Sequence, residues 1–418
     1  MTAESKIQTQ RRVRHALPAV MMRAGTSKGL FFHRSDLPAS EKDWAAPLLG
    51  AMGSKFNDVR QIDGVGGASS VTSKVAVIAP SAQPGADVDY TFVQVAVGKE
   101  TIDLSGNCGN MCSGVGPFAI QEGLVVPPPG ARTVDVRIYN TNTKRYIVET
   151  IALDENGEVL EDGDHFIPGV KAPGSEIKVA FVDPAGSMTG KLFPTGRRLE
   201  QIVVDPIDVN LEPFVVDVTL IDAANPFVFV DAQTLPMFAR QEDPDSPICV
   251  QVAEAIRQRA AVQMGLAPDL ETASKTRATP KIAYVSPPEP KAAGKGDVTG
   301  VKVLAYSMGK THPTLPLTGG VCLASATVLE GTVAHRASLG GKPVPESFIN
   351  TPERTPSPPS EKQVSAASGD VSPEQTVHIT HGGGTMEVKV QMAGGEIKQC
   401  SISRTARTLF KGSVMYYN

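Results

Sequence analysis

Cysteine is scarce in this chain: five in 418 residues, an odd number at irregular spacing. Cys108, Cys112, Cys249, Cys322 and Cys400 do not form a disulfide framework, so a reducing, cytosolic-type compartment is expected. Apolar runs long enough for a bilayer are absent, and no membrane partner is expected. The opening MTAESKIQTQRRVRH lacks the apolar core of a secretory signal. A cytoplasmic location follows; a mitochondrial presequence built on Arg11, Arg12 and Arg14 is the minor alternative, opposed by Glu4 and the short length. Basic runs are short too, and the formal net charge is -4, which removes the basic face a nucleic-acid partner needs. Cofactor fingerprints are also missing. MGKTHP (308–313) contains GKT, but Leu304 stands where a P-loop's first glycine belongs. GVGGAS (64–69) does not meet the dinucleotide pattern. No cofactor and no metal are expected.

What is present is enough apolar residue, 41%, for a large core and two or three domains. Short alternating runs dominate: 88–97, 133–140, 215–221, 281–286 and 386–392 read as half-buried strands. Helices are fewer. SEKDWAAPLLGAM (40–52) opens with Ser40 and Asp43 in a capping-box-like arrangement. CVQVAEAIRQRAAVQM (249–264) has an apolar face at Val252, Ala255, Ile256 and Ala260 and stops at Gly265. Two more helices are expected to begin near Cys112 and Val321. The Pro/Ser-rich stretch 351–373 has no apolar period and reads as a disordered insertion without chemistry.

SGNCGNMCSGVGPFAI (105–120) can be laid over PLTGGVCLASATVLEG (316–331), with Cys108 on Thr318, Gly109 on Gly319, Asn110 on Gly320 and Cys112 on Cys322. Each is a small-residue turn entering a small apolar helix. This suggests two similar lobes whose glycine turns face each other, with chance likeness of glycine-rich turns as the competing reading.

The chemistry-bearing residues gather in these turns. Cys108 and Cys112 are too few for a zinc site, and His378 and His381, three apart on a strand, point to opposite faces. Cys108 falls at a helix N-cap, where the dipole stabilises a thiolate and free amides bind a carboxylate; a bystander thiol in a glycine turn is the equal alternative. Cys112 reads as a small buried hydrophobe. GTSKG (25–29) fits the nucleophile-elbow pattern, yet a strand and turn follow it rather than a helix, so a loop offering Thr26, Ser27 and Lys28 to an anion is expected. Lys74 enters the apolar run VAVIA. It either snorkels to solvent or, half-buried among hydroxyls such as Ser73, serves as a general base. The inventory fits cofactor-free proton transfer on a small polycarboxylate.

Nine stretches together resemble the PrpF-type family: MMRAGTSKGLFF, IDGVGGASSVTSKVAVI, NCGNMCSGVGPFAI, VRIYNTNTKR, DPAGSMTGKLFPTG, IDAANPFVFV, MGKTHPTLPLTGG, HGGGTMEV and SRTARTLFKGSVMY. The resemblance runs in order from about residue 20 to 417 and departs mainly at the insertion. That family includes 2-methylaconitate isomerases, methylitaconate Δ-isomerase, oxalomesaconate tautomerase and fungal aconitate Δ-isomerases.

The resemblance implies an α+β fold of two pseudo-symmetric, diaminopimelate-epimerase-like lobes. Each would be a β-barrel-like sheet around a central helix, with the active site in the cleft between them. The lobes would span 1–195, with a small part of the C-terminus returning to it, and 196–418. The epimerases use one cysteine per lobe; here Thr318 stands at the second position, which disfavours a two-thiol racemase. The resemblance makes Lys74 the proton-transferring base, with Cys108 beside the substrate. His312 would contribute binding or proton transfer, and Thr318, Gly319 and Gly320 would hold a carboxylate. Ser27, Lys28, Ser73, Asn107, Gly109, Asn110, Met111 and Met308, from the same motifs, complete the expected contact set. The implied activity is an isomerase shifting a double bond by allylic proton transfer, first choice aconitate, favoured by the fungal look of the insertion. The alternatives are methylaconitate or methylitaconate isomerisation, an oxalomesaconate-type tautomerase, or a non-catalytic accessory protein of an aconitase-like hydratase. The partner is a small unsaturated di- or tricarboxylate, and the chain is expected as monomer or homodimer.

Overall fold

The computed structural model describes residues 13–206, 212–288, 299–340 and 373–417. The Pro/Ser-rich stretch expected at 351–373 lies outside these except for its last residue. The first eight strands are β1 (Arg14–Ala24), β2 (Ser27–His33), β3 (Lys74–Pro80), β4 (Val88–Val95), β5 (Ile102–Asp103), β6 (Thr133–Asn140), β7 (Arg145–Ala152) and β8 (Ile177–Val182). The rest are β9 (Glu200–Val204), β10 (Phe214–Asp222), β11 (Pro226–Asp231), β12 (Lys281–Ser286), β13 (Gly300–Ser307), β14 (Lys310–Thr311), β15 (Gln375–His381), β16 (Gly384–Ala393), β17 (Glu396–Arg404) and β18 (Ala406–Tyr417). The helices are α1 (Ala45–Met52), α2 (Gly109–Cys112), α3 (Val115–Gln121), α4 (Met237–Gln241), α5 (Pro247–Gln263), α6 (Leu270–Lys275), α7 (Leu317–Val328) and α8 (Val333–Ser338).

This is a mixed α/β, strand-rich fold with a repeated plan. Along the hydrogen-bonded pairs, β18, β1, β2, β3, β4, β6, β7 and β8 lie side by side. A second series runs β9, β10, β11, β12, β13, β15, β16 and β17. Both show the same succession of pairings: antiparallel, antiparallel, parallel, antiparallel, parallel, antiparallel, antiparallel. The series join where β8 pairs with β17. The short β5 adds to β4 as β14 adds to β13. A helix pair follows each, α2–α3 before β6 and α7–α8 before β15.

Alternation along the strands divides the core. In β1, Val20, Met22 and Ala24 face α2 and α3 in the main cluster. Leu17, Ala19 and Met21, on the other face, pack against Trp44, Leu48 and Met52 of the α1 region. The second series does likewise: α7 contacts β10, β11 and β15–β17, while Val252, Ile256 and Ala260 of α5 cover Val216, Val218 and Val228. Sheets covered on both faces bury long apolar runs.

Three helix expectations shift. Ser40 accepts a hydrogen bond from the Lys42 amide and caps only a short 3-10 turn (Glu41–Asp43); α1 starts later, carries Pro47 in its first turn and ends on left-handed Gly53. α5 begins at Pro247, because Ser246 accepts from the Cys249 amide and proline suits a first helical position. α7 begins at Leu317, four residues before the expected start. The internal repeat also shifts by two. The first intrahelical bonds run from the Cys112 amide to the Cys108 carbonyl and from the Gly320 amide to the Pro316 carbonyl. The helix frames therefore match Cys108 with Pro316, not with Thr318.

Candidate active site

The entrances of α2 and α7 meet. A Cβ on Gly109 would lie 2.5 Å from Leu317 Cδ2 and 3.0 Å from Phe181 Cζ, so only glycine lets these helix tips approach. The cleft at this junction encloses about 310 Å³ of space, open solvent included. Its walls carry Ser27, Ser70, Lys74, Asn107, Cys108, Gly109, Asn110, Lys281, Ser307, His312 and Thr318.

Lys74 opens β3 beside Gly29 of β2, where a Cβ would strike the Lys74 carbonyl at 2.2 Å. The residue is 7% exposed, and its ammonium donates to Gln94 Oε1 at 2.7 Å and lies 5.0 Å from the centre of the Phe92 ring. Gln94 is oriented in turn: its amide nitrogen donates to the Ser73 and Ser70 carbonyls. Cys108 is the N-cap of α2 and half-buried, with no side-chain capping bond. Tyr90 donates its hydroxyl to the Cys108 carbonyl at 3.1 Å. Two asparagines from separate motifs hold the preceding residue, Asn107: Asn140 Nδ2 donates to Asn107 Oδ1 at 3.2 Å, and the Asn107 amide donates to Asn225 Oδ1 at 3.4 Å.

The opposite wall brings a second amine. Lys281 opens β12 as Lys74 opens β3, and its parallel neighbour on β11 is Phe227, in the place of Gly29. Burial, and then the nearby Lys74 ammonium, lower its pKa to about 8; Cys108 and Asp103 oppose the shift. His312 is pushed down to about 3 by burial and by Lys281, so its imidazole is neutral near pH 7. Its Nδ1 lies 2.7 Å from the Thr314 carbonyl and 3.2 Å from the Thr314 amide nitrogen, so the Thr314 backbone holds the ring at this nitrogen. Thr318 Oγ1 is buried without a partner.

Of the residues expected from sequence, Ser27, Lys74, Asn107, Cys108, Gly109, Asn110, His312 and Thr318 share this cleft. Lys28, Ser73, Met111, Met308, Gly319 and Gly320 do not line it. Lys28 follows Ser27 on β2, not in a loop, so it takes the other face. Ser73 donates to Gln61 Oε1 at 2.7 Å, and Met111 lies in the core against Gly29. Met308 lines a neighbouring cleft with Glu254 and Arg257. Gly319 faces Phe227 and Gly320 faces Met386, and the Gly320 amide is spent on Pro316. The Cys112 amide is likewise spent on the Cys108 carbonyl. Sequence reasoning missed Lys281, Ser70 and Ser307.

A larger groove lies between α1 and the end of β18, but its lysine, Lys55, already donates to the Tyr417 carbonyl. Among the described residues no three His, Cys, Asp or Glu side chains gather as a metal site requires. No described helix is long and apolar enough to cross a membrane.

Comparison with known proteins agrees over nearly the whole length. The family model described as PrpF protein matches residues 14–345. The 3-methylitaconate isomerase of Eubacterium barkeri is 35% identical over 411 residues, covering 95% of this chain and 96% of that protein. The 2-methyl-aconitate isomerase of Shewanella oneidensis is 33% identical over 419 residues, with 95% and 96% covered. A crystal structure of methylitaconate-delta-isomerase superposes with a TM-score of 0.68 at 32% identity, covering 97% of this chain and 96% of that one.

Proposed function

Because this chain belongs to the PrpF family and is one of its double-bond-shifting isomerases, we propose that it moves the double bond of an unsaturated tricarboxylate, with aconitate as first choice. The observation that carries the proposal is the convergence of Lys74, Lys281, Cys108, His312 and Thr318 on one cleft between the entrances of α2 and α7. In this reading the two strand series act as the lobes of a racemase-type fold, about 1–195 and 196–418, with β18 counted with the first.

Lys74 as free amine takes a proton from the allylic carbon. The C–H electron pair enters the conjugated system, the C=C bond shifts by one carbon, and negative charge collects on the neighbouring carboxylate. A proton then returns at the far end of the allyl unit, from Lys74 itself or from Cys108. Where Cys108 donates, the Lys74 ammonium releases its proton to water and the thiolate takes one back, so protons balance over the cycle and no electrons leave the substrate. Lys281, lowered only to about 8 by burial and by the Lys74 ammonium, keeps positive charge near the developing anion at neutral pH. The amides of Gly109, Asn110 and Met111 precede the first intrahelical bond of α2 and face the same junction. Reacting atoms must come within about 3–3.5 Å for transfer.

Methylaconitate, methylitaconate and oxalomesaconate are the alternatives, since one methyl group changes pocket binding by only about 1–3 kcal/mol. Proton NMR of the purified protein with cis-aconitate, trans-aconitate, methylitaconate and oxalomesaconate in D2O tests the proposal. Deuterium is expected at both ends of one acid's allyl unit, at a rate abolished by Lys74→Ala. Exchange in none of the four acids ends it.

A further inference from the structure

Two of the motif stretches, HGGGTMEV and SRTARTLF, contribute nothing to the cleft lining, yet Arg404 of the second is bonded to Asn110, which lines it. Arg404 ends β17 and is 4% exposed. Its Nε donates to Asn110 Oδ1 at 3.2 Å and its Nη1 to the Ser403 carbonyl at 2.8 Å. Among the described residues it forms no ion pair and Nη2 has no hydrogen-bond partner. Burial lowers its pKa to about 10 with no carboxylate opposing the shift. A buried guanidinium without a counter-ion is rare in proteins, because desolvating the charge is unfavourable unless an anion compensates.

His381 ends β15 and is 7% exposed. Its Nδ1 accepts a hydrogen bond from the Gly383 amide at 3.1 Å. The proton of the neutral ring is therefore on Nε2, and that buried donor has no partner. Arg404 is close enough to lower the His381 pKa, and burial with that charge takes it to about 4, so the ring is a neutral donor near pH 7. The two groups connect to the cleft by two routes. Asn110 lines it and receives Arg404, while its Nδ2 donates to Thr26 Oγ1 at 3.1 Å. His312 lines it as well and feels the His381 ring. The turn glycine Gly383 is required here, since a Cβ would lie 2.7 Å from Thr314 Cγ2.

The geometry points to a second anion-binding pocket, formed by Arg404 Nη2 and His381 Nε2 behind Asn110 and His312, that takes a substrate carboxylate remote from Lys74 and Cys108. One carboxylate has two acceptor oxygens, and the pocket offers two unpaired donors and one uncompensated charge. This rests on the reading of the cleft as the isomerase site and deepens it, because a third charged group selects tricarboxylates over dicarboxylates.

Calorimetric titration of the full chain with propane-1,2,3-tricarboxylate, glutarate and methylsuccinate tests the pocket without requiring turnover. The triacid is expected to bind at least tenfold tighter than either diacid. Arg404→Met should remove at least tenfold of the triacid affinity and shift the diacids less than threefold. Arg404→Lys should retain part of the preference. If Arg404→Met does not fold, as judged by its melting curve, His381→Leu reads the same ratio and should reduce it at least threefold. Equal loss for triacid and diacids, an unchanged ratio in a folded variant, or no triacid preference in the wild type overturns the pocket and leaves Arg404 as a tie between β17 and α2. Triacid preference in a protein that isomerises none of the four acids would instead sink the isomerase reading and keep the pocket.

Discussion

Lys74 and Lys281 open matched strands, β3 and β12, in the two strand series, and both line the same cleft. The repeated pairing plan makes this a consequence of the fold: each series presents the first residue of its fourth strand to the junction of α2 and α7. Among the described residues Lys281 forms no ion pair with a carboxylate, and Lys74 is held by the neutral Gln94. Two like charges are thus kept together with little protein compensation, as expected where an anionic substrate supplies the missing charge.

A stability prediction follows from Lys281, whose pKa is lowered from 10.5 to about 8. Below about pH 8 both folded and unfolded chains hold this proton, and the folded chain bears the full cost of the half-buried, repelled ammonium. Between about 8 and 10.5 the folded chain releases it first, so the unfavourable contribution shrinks as pH rises. At neutral pH it is at most about 3 kcal/mol, less where the cleft admits water. Lys281→Met should therefore raise the unfolding free energy at pH 7, with the gain fading by pH 10.5. Denaturant titration of both proteins at the two pH values measures it; equal gains at both would contradict the repulsion.

Lys74→Arg keeps the positive charge but cannot supply a free amine near neutral pH. We expect kcat to fall by about 10² to 10⁴-fold, with a melting temperature close to that of the wild type because the Gln94 acceptor remains. Steady-state kinetics and a thermal scan on the same preparation check both halves. Full turnover in this variant would move the base to Lys281.

Much of this architecture is legible in the residues. Alternation marks the bounds of β6 and β12, and the glycine turns point to the two helix entrances. The repeat reads two residues out of frame, because Thr-Gly-Gly resembles Cys-Gly-Asn more closely than the Pro316 that actually matches Cys108. Lys281 is hidden for a related reason. A lysine leading an apolar strand reads as a solvent-facing end, and only the three-dimensional pairing shows that SKVAVI and PKIAYV are counterparts. That shared lysine at the head of two apolar strands is the available signal. Gln94 leaves none, since its meaning lies in what it faces across the sheet, and Arg404 is marked only by its place in the SRTARTLFKGSVMY stretch.

Thiol chemistry separates Cys108 from the other cysteines. It is half-buried, whereas Cys112, Cys249, Cys322 and Cys400 are buried. Native protein treated briefly with iodoacetamide should acquire one adduct, at Cys108 by peptide mass spectrometry, and the denatured chain five. Propane-1,2,3-tricarboxylate should slow the native reaction if the acid occupies the cleft. Cys108→Ser then decides the role of the thiol: retained turnover makes it an element of shape and charge, whereas a loss of about 10²-fold or more makes it the proton donor at the far carbon.

The junction of the helices offers the last test. At Gly109 the methyl group of an alanine would fall 2.5 Å from Leu317 Cδ2 and 3.0 Å from Phe181 Cζ. Neither neighbour has room to retreat, since Leu317 and Phe181 both belong to the main core. Gly109→Ala should therefore destabilise the chain by roughly 1–3 kcal/mol and raise KM as the two entrances separate. Leu317→Ala leaves a cavity and alone should cost about 2–5 kcal/mol. In the double variant the added methyl enters the space that Leu317 vacates, so the combined loss should be smaller than the sum of the single losses by about 1 kcal/mol or more. Strict additivity in a double-mutant cycle would show that the two residues do not share this contact and that the helix entrances are held apart by something else.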